Sequence, residues 1–197
     1  GLGAAFLVWT GERYIACPSE GGHASFSPRT AQEIGLLEYL QARYGHVSFE
    51  RIASGRHLPD IYDFFGERCG YVEPAWLRDA LAQAPDRTPV IVQAALANRA
   101  AICEATLDLF VHVLATITGN LAVTLLPSGG IYLAGGIPPR ILDRLQRPDF
   151  LDAIADKGRF SHLTASMPVH VILDSAVALR GAAWFGLEAL RRQAAAG

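Results

Sequence analysis

The sequence predicts an α/β fold, a mixed five-stranded sheet with helices on its faces, and three observations carry that expectation. Three short apolar runs separated by turn residues open the chain, the pattern of strands joined by tight connections. A long stretch of helical periodicity follows. Two late strand-like runs, one from Ile131 and one over Val169–Leu173, are each followed by a helical segment, as parallel neighbours require.

The elements follow in order. Ala4–Trp9 and Tyr14–Cys17 flank Thr10-Gly11-Glu12-Arg13 and predict a β-hairpin. His23–Phe26 alternates and is expected to be a third strand. Thr30, with Glu33 three residues on, forms a capping box, and Ile34, Leu37, Leu40 and Tyr44 keep helical spacing until Gly45. Val47–Ala53 is expected to be a capped turn and short helix holding Glu50. Between residues 55 and 88, Pro59, Gly66, Gly70, Pro74 and Pro85 punctuate short helical pieces, Ala75–Gln83 among them.

Val90 to Thr118 contains neither Gly nor Pro, and Ile102, Thr106, Leu109, Phe110, Val113 and Ile117 share one face. That predicts one helix of roughly 40 Å, ended by Gly119. Asn120–Leu126 continues it or forms a second. Ile131–Arg140 is expected to be a buried strand running into Gly135-Gly136 and opening a helix with Pro138 or Pro139 in its first turn. Arg140–Leu145 and Leu151–Ala155 are helical pieces joined through Pro148. Ala176–Arg192 closes the chain as an amphipathic helix.

Composition bounds the class. With 51% hydrophobic and 18% charged residues the chain can build a proper core. A net charge of -2 and no basic run argue against a nucleic-acid partner. Cys17, Cys69 and Cys103 are odd in number and far apart, which fits reduced thiols and gives no zinc motif, so no metal site is expected. No apolar run is expected to span a bilayer, and a cytoplasmic protein follows. The chain enters a strand straight after Gly1 and reads as a piece of a longer polypeptide. Its two longest helical stretches carry more apolar surface than one small sheet covers, which points to a homo-oligomer, a dimer.

Three stretches could carry chemistry. Gly135-Gly136 lets a flat ligand lie on bare backbone beside the free N–H groups of a helix start; the plainer reading is a βα turn that needs positive φ. Ser19-Glu20-Gly21-Gly22-His23 sets a carboxylate and an imidazole around two glycines, so both can converge on a small polar ligand, or else form a solvated turn. Glu50 completes the same pocket or serves as an acid at a helix N-terminus. Gly1-Leu2-Gly3 could end a phosphate-cradling loop. His57, His112, His162 and His170 lack metal-ligand spacing and are read as structural or solvated. Ser54, Ser128 and Ser175 have no nucleophile-elbow context. Asp174 is read as a loop cap.

Taken in order, the stretches Ser19–His23, Gly45-His46-Val47-Ser48 with Glu50-Arg51, Ser54-Gly55, Gly119–Ala122, Gly129–Ile137 with Pro139-Arg140, and Asp156–Phe160 resemble the bacterial glucokinase family, sugar kinases of the actin-like ATPase superfamily. The resemblance implies an actin-like ATPase (ribonuclease H-like) domain, with residues 1–197 as the C-terminal large domain. It implies glucose as substrate, held by Glu20, His23 and Glu50, and ATP with Mg²⁺ as phosphoryl donor. Gly135 and Gly136 would face the adenosine, and Gly1 and Gly3 the phosphates. The catalytic aspartate of the family lies in its N-terminal domain, so no catalytic residue is expected in this chain, which alone should be inactive. The alternative is a non-catalytic sugar-binding or regulatory protein on the same fold. The sequence departs from the family at Arg56-His57, where Pro-Gly is usual after Ser-Gly, and at Leu126-Pro127-Ser128.

Overall fold

The computed structural model describes residues 1–196, which divide into two compact units, Gly1–Ile117 and a second from Thr118 on.

The first unit opens with the expected hairpin, β1 (Ala4–Trp9) antiparallel to β2 (Tyr14–Ser19), in register from Ala4 opposite Ser19 to Trp9 opposite Tyr14. Gly11, at φ 96°, supplies the left-handed residue that the turn needs. The third strand does not form. Gly21–His23 is a single 3₁₀ turn closed by His23 N–H donating to Glu20 O (2.9 Å), and only Ser25 makes one antiparallel bridge, to Ser48. Two adjacent glycines favour that tight turn over an extended run.

Helix α1 (Ala31–Tyr44) carries the capping box as read: Glu33 N–H donates to Thr30 Oγ1 (3.1 Å) and Thr30 N–H to Glu33 Oε2 (3.2 Å). Its buried face, however, is Glu33, Leu36, Tyr39 and Leu40, with Ile34 and Tyr44 turned outward. The core of this unit forms among α1, α2 (Leu58–Arg68), α3 (Ala75–Gln83), α4 (Arg87–Leu96) and α5 (Ala101–Leu125), with α2 packing on both α1 and α4, and α3 on α4. Leu36, Leu40, Ile61, Phe65, Leu77, Ile91 and Leu107 are completely buried there.

The single helix expected over Val90–Thr118 is two. Asn98 adopts φ 51° and Arg99 N–H returns to Ala94 O (2.9 Å), so the chain turns between α4 and α5 without glycine. Asn tolerates the left-handed region better than most non-glycine residues, so a stretch without Gly or Pro can still hold a helix break. Gly119 does not end α5 either. The helix runs on to Leu125 and stops at Leu126, φ 47°. At Gly119 a Cβ would stand 2.4 Å from Ile154 O, so the glycine permits close approach of the following segment. By length and composition alone α5 could cross a bilayer, but Glu104, Asp108 and His112 interrupt its apolar run, and 72% of its most apolar window is buried inside the protein, as in a core helix.

In the second unit β3 (Ile131–Leu133) pairs in parallel with β4 (Val169–Val171), Ile131 opposite Val169. The expected five-stranded sheet is thus two separate two-stranded sheets among the described residues. Between β3 and β4 lie a 3₁₀ turn at Pro138–Ile141, then α6 (Leu142–Leu145), α7 (Pro148–Ala155) and α8 (Ser161–Ala165). Ile141, Leu145, Phe150 and Ile154 bury together their apolar faces. Pro148 starts α7 rather than joining two pieces, in the position where its missing N–H is harmless. Lys157 Nζ donates to Asn120 Oδ1 (3.0 Å). Asp174 caps the turn after β4, accepting from Ala176 N–H (2.9 Å), and α9 (Val177–Ala196) follows. All three cysteines are free thiols.

Candidate functional site

The site is assembled by two loops of the first unit. The turn after β2 is drawn tight by Gly21 N–H donating to Ser19 Oγ (2.9 Å) and by the His23 to Glu20 backbone bond. Gly22 is buried against the strand leading into β1: a Cβ there would lie 1.9 Å from Leu2 O. The segment after α1 lies along this turn. Phe26 N–H donates to Val47 O (2.9 Å), Phe49 N–H to Ala24 O (3.0 Å) and Glu50 N–H to Gly22 O (2.8 Å), while Phe26 and Phe49 meet edge to face at 5.7 Å.

Residues 48–53 are successive turns, not the short helix expected, so Glu50 is not a helix N-terminal acid. Their backbone bonds fix where its side chain goes. Glu50 Oε2 stands 3.0 Å from His23 Nε2, and Glu20 Oε2 4.0 Å from the same nitrogen. The Glu50 side chain is 25% exposed and that of Glu20 92%. The structure therefore brings the three sequence-selected side chains together, with Glu20 on the solvent side.

A cavity of about 470 Å³ opens here, of a size that takes a small ligand. Gly1, His23 and Glu50 line it; Glu20 is not among its lining residues. Its further lining comes from residues to which the sequence reading gave no binding role. Ser54, Arg56 and His57 reach it from the turn before α2, and Arg51 from the Glu50 loop. Tyr44 OH donates to Asp60 Oδ1 (3.1 Å) and His57 Nδ1 meets Asp60 Oδ2 (3.1 Å), so Asp60 orients the imidazole. His57 Nε2 faces Arg51 Nη1 at 3.4 Å, and the Arg51 guanidinium lies 4.2 Å over the Tyr44 ring. Burial, and then the Asp60 carboxylate, pushes the Tyr44 phenol up. The sequence signals for this wall were the Glu50-Arg51 and Ser54-Gly55 stretches and the departure from the family pattern at Arg56-His57.

The glycines are placed differently from one another. Gly135 has φ 109°, and no atom approaches the Cβ position of Gly135 or Gly136 within 4 Å, so their backbone is open. Gly3 is likewise open. Gly1 sits against the Glu50 carboxylate, where a Cβ would meet Oε1 at 2.6 Å. His112 pairs with Glu33 (3.4 Å) and His170 stacks on Tyr132 (4.9 Å), structural roles as read.

The glucokinase family model matches residues 1–189. Glucokinases of Nostoc sp. and Shigella sonnei are 40% and 37% identical to the chain, over 93% and 92% of it but only 57% and 53% of their own lengths. Among solved structures, a glucokinase from an Antarctic psychrotroph superposes with a TM-score of 0.74 at 31% identity, over 87% of this chain and 51% of that one. A glucokinase from Balamuthia mandrillaris in complex with glucose does so with 0.63 at 24% identity, over 82% and 42%, a likeness of fold alone. The chain spans about half the length of the curated relatives it matches. With the match running over nearly all of its own length, the chain belongs to the glucokinase family.

Proposed function

We propose that the full-length protein transfers the γ-phosphoryl group of ATP to glucose, giving glucose 6-phosphate, and that this chain is the C-terminal large domain that supplies part of both substrate sites. One observation supports the sugar side above all: Glu50 from one loop and Glu20 from the turn that carries His23 stand 3.0 and 4.0 Å from the same imidazole nitrogen, beside a cavity that His23 and Glu50 line. Ionised carboxylates accept from sugar hydroxyls, and His23 can donate or accept, so the trio reads adjacent hydroxyls by geometry. Glu50, mostly removed from water, gives the stronger contact, on the order of 1.5–3 kcal/mol.

Nucleotide contacts are assigned within each unit by itself: the adenosine to the open backbone at Gly135 and Gly136, and phosphate to Gly1 and Gly3. Mg²⁺ would arrive on ATP and neutralise charge on the phosphates. Among the described residues no group of three His, Cys, Asp or Glu is placed to hold an ion. Transfer also requires a positioned base, and no residue here is assigned that role. A cytoplasmic homodimer completes the proposal.

The test is calorimetric titration of the chain with glucose. Glu50→Gln should weaken binding about ten- to a hundredfold, the energy above converted to affinity, and Glu20→Gln less. Equal affinity of wild type and both variants would remove the sugar assignment.

A further inference from the structure

We infer that the same cavity contains an oxyanion subsite, sized for a phosphate group and built from Ser54, Arg51 and Arg56, with His57 as the residue that positions Arg51. Four observations carry it. Ser54 lines the cavity, is completely buried, and its Oγ has no hydrogen-bond partner, so a donor waits there for an acceptor. The lining is strongly basic: Glu50 is its one carboxylate, against Arg51, Arg56 and three histidines, and Glu50 is already engaged by His23 at 3.0 Å. Arg56 is exposed and has no hydrogen-bond or ion-pair partner among the described residues. Arg51 spends Nη1 on His57 and rests its face on Tyr44, which leaves its other N–H groups in the guanidinium plane to donate.

The nearby acid, Asp60, is occupied by Tyr44 OH and His57 Nδ1 and does not line the cavity. The turn is also fixed before any ligand arrives: His57 N–H donates to Ser54 O (3.1 Å) and Thr88 Oγ1 to Gly55 O (2.7 Å). Arg56-His57 is one of the two places at which the sequence departs from the family pattern, the other, Leu126-Pro127-Ser128, lying outside this cavity. A phosphate dianion matches this set of cationic and hydroxyl donors, whereas a neutral sugar leaves Arg56 unused. The group reaches the subsite as free phosphate or as an ester on a hexose; only the second source rests on the glucose reading.

The chain is titrated separately with inorganic phosphate, glucose 1-phosphate, glucose 6-phosphate and glucose at constant ionic strength, binding being followed by calorimetry. Phosphate should bind saturably, at least about tenfold more weakly in Arg56→Gln and severalfold more weakly in Ser54→Ala, with thermal melts like the wild type. Gly181→Ala, in α9, should leave phosphate affinity unchanged. An ester that binds more tightly than inorganic phosphate supports the hexose-borne source; equal affinities support the free anion. Absence of saturable phosphate binding, or equal phosphate affinity in wild type and Arg56→Gln, overturns the subsite. If phosphate binds and glucose does not, the sugar assignment fails while the subsite stands.

Discussion

Gly22→Ala places a methyl group where the structure has no room for one. The ideal Cβ lies 1.9 Å from Leu2 O and 3.0 Å from Leu2 C, both backbone atoms, so relief requires a shift of about 1 Å or more between the two segments. Neither can retreat freely. Gly22 O accepts from Glu50 N–H at 2.8 Å and Ala24 O from Phe49 N–H at 3.0 Å, so moving the turn drags the Glu50 loop with it. Overpacking of this kind costs about 1–3 kcal/mol. For a chain of this length that is a fall in Tm of roughly 2–12 °C. Circular dichroism melts measure it, and Gly3→Ala, whose Cβ meets nothing within 4 Å, is the matched control. A Gly22→Ala melt that coincides with that of Gly3→Ala would refute the packing on which the placement of Glu50 depends.

Other outcomes follow from the same geometry. Gly119→Ala should lower stability by about 1–3 kcal/mol in urea melts despite the better helix propensity of alanine, because Ile154 O lies 2.4 Å from the added carbon. Gly181→Ala, with open space in α9, should instead gain up to about 1 kcal/mol. Burial pushes the Cys103 thiol up to about 12 from 9.0. Between those values the unfolded thiol ionises before the folded one, so stability falls as pH rises from about 9 to about 12, and Cys103→Ala should flatten part of that slope. A coupled assay should find ADP release by the 197-residue chain with ATP and glucose at background, since no residue in it is assigned as the base; sustained turnover would contradict the division of labour proposed here.

What the sequence disclosed was local. The Thr30–Glu33 capping box and the hairpin around Gly11 depend on residues three or four apart, and both form as read. Gly119 was misread as a helix stop because a stop and a close-contact glycine look alike until Ile154, far along the chain, is packed against it. Asn98 hid a helix break because its left-handed conformation is a tolerance, not a requirement. Sheet extent was illegible for a different reason: strand-like runs were counted, but pairing is set by which edges meet. At the site, Glu20 and His23 share one short turn and could be seen together. The basic wall could not, since the burial of Ser54 and the tie between Asp60 and His57 exist only once α2 is in place.

A structure of the chain bound to glucose decides whether these two loops hold the sugar. It should show the sugar in the cavity with hydroxyls within hydrogen-bond distance of Glu50, Glu20 and His23, the Glu50 contact being the better shielded from water. Glucose bound elsewhere on the chain, or no glucose at saturating concentration, would contradict the claim that these two loops form its binding site.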